Sequence, residues 1–141
     1  MACTWFAGKL SVTHILLVDD SKLQRLANMR ILARAGYDVA VAGDGEEALA
    51  LVAHECPDLI LLDLLLPKMG GVDVLRALKQ GARTALIPVI IVSGMSEKNA
   101  EKLLKEGAAA YFEKSQMSGR AYDEQLLEVT RRVLAESPVN H

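Results

Sequence analysis

The chain has 141 residues, 51% of them hydrophobic and 24% charged, with a formal net charge of -2. That length makes one domain the default, and the composition is that of a globular protein rather than a disordered one. The balance of charge offers no basic face for nucleic acid, 4% aromatic residues offer no base-stacking platform, and no apolar run approaches the roughly 18 residues of a membrane span.

Residues 1–13 contain Trp5 and Phe6 but no clear period, and read as a loosely ordered leader. A single lysine and the lack of a continuous apolar core make them a poor signal peptide, so the protein is expected in the cytoplasm. Cys3 and Cys56 have neither metal-ligand nor CxxC spacing and are expected to be reduced thiols. From residue 14 five short apolar runs alternate with five helical patterns. The strands are expected at 14–18, 37–42, 59–62, 89–92 and 110–112; runs of this length, apolar on both faces, suit buried parallel strands. The first helix is expected over 21–35, with Leu23, Ala27, Ile31 and Ala35 as its buried stripe and Gly36 as its stop. The second covers 45–55 and buries Ala48, Leu49 and Val52. The third covers 72–79 and buries Val74, Leu75 and Leu78. The fourth covers 96–106, with Leu103 and Leu104 inward and Gly107 beyond. The fifth covers 122–135 and turns Leu126, Leu127, Val129, Val133 and Leu134 to the core, and residues 136–141 form a tail. Alternation of this kind predicts an α/β fold, a doubly wound parallel sheet with helices on both faces and right-handed crossovers.

In such a sheet the ligand site lies outside the carboxyl ends of the strands. The first strand ends in Asp19 and Asp20, the third in Asp63, the fourth in Ser93 and the fifth near Lys114. Three carboxylates, a hydroxyl and an amine should therefore converge on one edge. Carboxylates held together repel, and a hard divalent cation relieves that repulsion. Mg2+ takes a few carboxylates with waters and phosphate oxygens. Beside such an ion a carboxylate can act as nucleophile toward phosphorus and form an acyl phosphate, with Lys114 pairing with the phosphate charge and Ser93 donating one hydrogen bond. Taken singly, these residues have plainer readings. Asp19 and Asp20 suit a helix N-cap, Ser93 a turn, Lys114 a surface position and Tyr111 a half-buried strand aromatic. Asp63 is harder to place structurally, because it interrupts the apolar run 59–66, where an unpaired charge is costly.

The ordered set Val18-Asp19-Asp20-Ser21, Leu62-Asp63 through Pro67 to Gly70-Gly71, Val89 to Ser93-Gly94, and Gly107 through Tyr111 to Lys114 resembles the receiver domain of bacterial two-component response regulators. The likeness runs from about residue 14 to 135, leaving 1–13 and 136–141 outside it. It implies a flavodoxin-like, CheY-like fold with five strands in the order 2-1-3-4-5 and five helices. It also implies a phosphoacceptor switch, not an enzyme in the usual sense, that catalyses its own phosphorylation and dephosphorylation. Asp63 would accept the phosphoryl group from a histidine kinase or a histidine phosphotransfer protein. Mg2+ would be held by Asp20, by Asp19 mainly through water, by Asp63 and by the Leu65 backbone carbonyl. Ser93 and Lys114 would bind the phosphoryl oxygens. Ser93 and Tyr111 would form the switch, altering the face made by the fourth helix, fifth strand and fifth helix.

The sequence departs from the family pattern where Lys114 is followed by Ser115 rather than proline; a cis bond there would cost roughly 2.5–4 kcal/mol. The segment 115–120 contains Gly119 and is expected to be mobile. Leu65 and Met95 flank the site with apolar groups, expected to exclude water and lengthen the life of the acyl phosphate. Too few residues follow Lys114 for a second folded module, so a stand-alone receiver is expected. It would signal by protein–protein contact, to a downstream target or within a phosphorelay, as a monomer or a phosphorylation-dependent homodimer. Two alternatives differ in class. A haloacid-dehalogenase-type phosphatase would want a second acid two residues after the nucleophile, and position 65 is Leu. A phosphorylation-independent binding module would not need the full set of Asp19, Asp20, Asp63, Ser93 and Lys114.

Overall fold

The computed structural model describes residues 12–94, 100–114 and 119–137. Five strands, β1 (His14–Val18), β2 (Asp38–Ala42), β3 (Leu59–Asp63), β4 (Val89–Ser93) and β5 (Ala110–Glu113), form one parallel sheet in the order β2-β1-β3-β4-β5. Helices α1 (Lys22–Arg34), α2 (Gly45–Glu55), α3 (Gly71–Gln80), α4 (Ala100–Lys105) and α5 (Gly119–Glu136) cover it, and a short 3-10 turn (Thr84–Leu86) precedes β4.

Successive strand side chains point to opposite faces, so each strand feeds two cores. Leu16, Val18, Ile60, Leu62 and Ile91 pack with Ala48, Val52, Val74, Leu75, Leu78 and Leu103, under α2, α3 and α4. Ile15, Leu17, Leu59, Leu61, Ile90 and Phe112 pack with Leu32, Leu126, Val129 and Val133, under α1 and α5. β1, β3 and β4 are buried along their whole length, which is why they read as unbroken apolar runs.

Several expectations are corrected. The buried residues of α1 are Asn28 and Leu32, whereas Leu23 is 80% exposed and Ala27 and Ala35 are exposed; of the expected stripe Ile31 alone, half-buried, packs against the core. The inward face carries a polar position, which an apolar stripe does not reveal. Asn28 lies there with Leu32, and the Tyr122 hydroxyl of α5 donates to its Oδ1 at 3.0 Å, a pairing between residues 94 apart in sequence. Leu104 is 45% exposed while Leu103 alone of that pair is buried, since adjacent helical positions cannot share one face. α5 begins at Gly119, so Gly119 and Arg120 belong to a helix and not to the preceding loop. Cys56 is disulfide-bonded, not a reduced thiol; the expectation rested on an assumed compartment, which residue spacing does not fix. Cys3, Trp5, Phe6, Met95 and the Lys114–Ser115 bond lie outside the described residues.

Candidate functional site

The order of the sheet reverses direction at β1 and β3, and the crevice at that switch point is where the acidic strand ends meet. Asp19 follows β1 and is 2% exposed, Asp63 ends β3 and is 8% exposed, and Asp20 is exposed. One oxygen from each lies within 4.8 Å of the others. With Ser21, Gln24, Leu65, Gly94 and Lys114 they line an open cleft of about 570 Å³.

Local hydrogen bonds set each group. The Ser21 amide donates to Asp19 Oδ1 at 2.9 Å, and the Arg25 guanidinium donates to the Asp19 carbonyl at 3.0 Å. Ser21 in turn caps α1, its Oγ accepting from the Gln24 amide at 3.4 Å. Asp63 Oδ1 accepts from the Leu65 amide at 3.3 Å. The loop between β3 and α3 is closed by the Gly71 amide, which donates to the Leu64 carbonyl at 2.9 Å, and within it Lys68 takes a left-handed conformation (φ 66°). A side chain at Gly71 would meet the Asp63 carbonyl oxygen at 2.5 Å, so glycine is required there by close approach.

Lys114 enters from the end of β5. Its Nζ stands 3.6 Å from Asp19 Oδ2 and 3.6 Å from Asp63 Oδ2, and it donates a hydrogen bond to Gln24 Oε1 on α1. Burial raises the Asp63 pKa; Lys114 pulls it down, Asp19 adds to the rise, and the Leu65 amide opposes it. The carboxyl is thus held above its ordinary range by desolvation and a like charge, and the positive charge of a bound divalent cation would offset both.

Of the residues singled out in the sequence, Asp19, Asp20, Asp63, Leu65 and Lys114 border the cleft. Ser93 is fully buried at the end of β4, one residue beyond the Asp63–Val92 register pair. Tyr111 is half-buried on β5 opposite Ile91 and packs against the core under α2, α3 and α4. Sequence reasoning missed Gln24. Its signal was available, since it stands three residues after the capping Ser21, on the helix that starts at the acidic pair.

Residues 15–123 match the family model described as the response regulator receiver domain. The chain belongs to this family. The receiver is 39% identical over 105 residues to a gliding motility regulatory protein of Myxococcus xanthus, covering 74% of this chain but only 14% of that protein. It is 32% identical to protein PilH of Pseudomonas aeruginosa, over 88% of this chain and 99% of the relative. A CheY-like receiver domain protein from Methanospirillum hungatei superposes with a TM-score of 0.80 at 30% identity, over 93% of this chain and all of the other. Receiver domains act in two-component signalling as phosphoacceptor switches that interact with histidine kinases and downstream targets. Among the described residues no helix of the receiver is long and apolar enough to cross a membrane.

Proposed function

We propose that this receiver takes a phosphoryl group onto Asp63 from a phosphohistidine donor. The donor would be a histidine kinase or a histidine phosphotransfer protein, and the switch would work in the cytoplasm as a domain spanning about 14–135. One observation carries the reading: the nucleophile candidate sits with two further carboxylates and one ammonium at the switch point of the sheet, 3.6 Å from Lys114 Nζ.

An Asp63 carboxylate oxygen attacks phosphorus, the new O–P bond forms as the donor's P–N bond breaks, and the electron pair stays with the donor nitrogen. Asp19, Asp20, Asp63 and the Leu65 carbonyl would hold Mg2+, and the donor set fits. It is three carboxylate oxygens within 4.8 Å of one another in a cleft open to water. When bound, Mg2+ neutralises charge on the phosphoryl oxygens. Lys114 is the group of this chain that meets those oxygens as a point charge, and Ser93 would donate a hydrogen bond to one of them. Tyr111, one strand away from the site and half-buried, would follow Ser93. Its movement would alter the surface of α4, β5 and α5 that a downstream protein, or a second receiver, reads.

Incubation with acetyl phosphate and Mg2+ tests this. A mass gain of about 80 Da, one phosphoryl group, is expected in the wild type and absent from Asp63→Asn. Equal gains in both proteins, or none in either, would overturn it.

A further inference from the structure

Lys114 sits between two carboxylates at ion-pair distance, without closing to a short hydrogen bond on either. Both oxygens are 3.6 Å away, well beyond the roughly 2.7–2.9 Å of a charge-assisted hydrogen bond. Its hydrogen bond goes instead to the neutral amide oxygen of Gln24. Coulomb attraction alone would draw the ammonium onto Asp63 or Asp19, so the amide acts as a counterweight on the α1 side of the cleft. The helix is built to offer it. Ser21 fixes the first turn through the Gln24 backbone amide, and Asn28, one turn on from Gln24 and on the same face, is held by Tyr122 of α5.

We infer that Gln24 is a positioning residue, whose side-chain oxygen holds the Lys114 ammonium off Asp63 and keeps the reactive carboxylate open to metal and phosphorus. This rests on the phosphoacceptor reading above and deepens it. In the unphosphorylated protein the ammonium waits at a distance that admits one more oxygen. When a phosphoryl group arrives, Lys114 meets its oxygens without first breaking a tight ion pair. No covalent step is assigned to Gln24.

The test is a double-mutant cycle on Gln24→Met and Lys114→Met, read by Mg2+ affinity from calorimetry and by the acetyl phosphate reaction at saturating Mg2+. Methionine keeps the length and helix propensity of glutamine but removes the acceptor. Gln24 is exposed, and Ser21 Oγ caps the helix by accepting from the Gln24 backbone amide, which the substitution keeps, so the melting temperature should not move. With Lys114 present, Gln24→Met lets the ammonium close onto the carboxylates. Mg2+ affinity and phosphorylation rate should then each fall about three- to tenfold, the scale of one typical lost hydrogen bond at a solvent-exposed position. With Lys114 already methionine, the same change should have no further effect. Equal losses in both backgrounds, or no loss in either, would overturn the assignment. Failure of the wild type itself to bind Mg2+ or gain a phosphoryl group would instead overturn the phosphoacceptor reading.

Discussion

Gly71→Ala sets two physical effects against each other. Alanine is the better helix former by about 0.8–1 kcal/mol in a helix interior, and less at a first position. The added methyl, however, would lie 2.5 Å from the Asp63 carbonyl oxygen and 2.7 Å from Leu64 Cα, where ordinary contacts begin at 3.4 Å. Both neighbours are backbone in a buried turn, so they must retreat by about 0.7–0.9 Å, and no flexible side chain can absorb the shift. Overpacking of this kind costs typically 1–3 kcal/mol, which exceeds the propensity gain. A net loss of about 1–2 kcal/mol and a melting temperature lower by several degrees are expected. The displaced atoms carry Asp63, and a misplacement near 1 Å at a reacting group can cost about 100-fold in rate. Phosphorylation by acetyl phosphate should therefore fall by about 10- to 100-fold, more than the stability loss would suggest. Thermal melts and mass-spectrometric time courses of the two proteins measure both quantities. A variant that melts at or above the wild type and reacts at its rate would refute the reasoning that this glycine positions the aspartate.

The remaining expectations are smaller in scale. Because burial raises the Asp63 pKa, the unfolded chain ionises first as pH climbs from 3.8. Stability therefore falls through the window between 3.8 and the folded value and stays lower above it. Asp63→Asn should thus match the wild type in strong acid and exceed it at neutral pH without metal, and urea titrations at several pH values would show a constant gap if this is wrong. Tyr122→Phe leaves the buried Asn28 oxygen without its hydroxyl donor and should cost about 1–3 kcal/mol in urea unfolding; an unchanged midpoint would count against α1 being pinned there. Leu65, 65% exposed at the rim of the cleft, should slow access of water to a phosphorylated Asp63. Leu65→Asn is expected to speed dephosphorylation, and a slower variant would count against that role.

The sheet was legible in the sequence because β1, β3 and β4 are buried on both faces, and hydrophobic burial leaves a pattern that single residues report. The site was legible for a related reason. An aspartate interrupting Leu61-Leu62 and Leu64-Leu65-Leu66, and four polar groups at strand ends, stand out against an apolar background. What was missed depends on partners far away in sequence. Asn28 lies on the inward face with Leu32 and takes Tyr122 of α5 as its partner, and that orientation leaves Leu23 in solvent and Gln24 against Lys114, 90 residues along the chain. Lys79 is another case. Burial lowers its pKa, yet its ammonium donates to the Ala85 and Ile87 carbonyls at 3.0 Å each, tying α3 to the turn before β4; no periodicity announces such a staple.

Which atom receives the phosphoryl group is directly measurable. Borohydride reduction of the phosphorylated protein, followed by peptide sequencing in a mass spectrometer, converts an aspartyl phosphate to homoserine at the residue that carried it. Homoserine at position 63 is the expected result; homoserine at 19 or 20, or phosphate found on a serine, would contradict it.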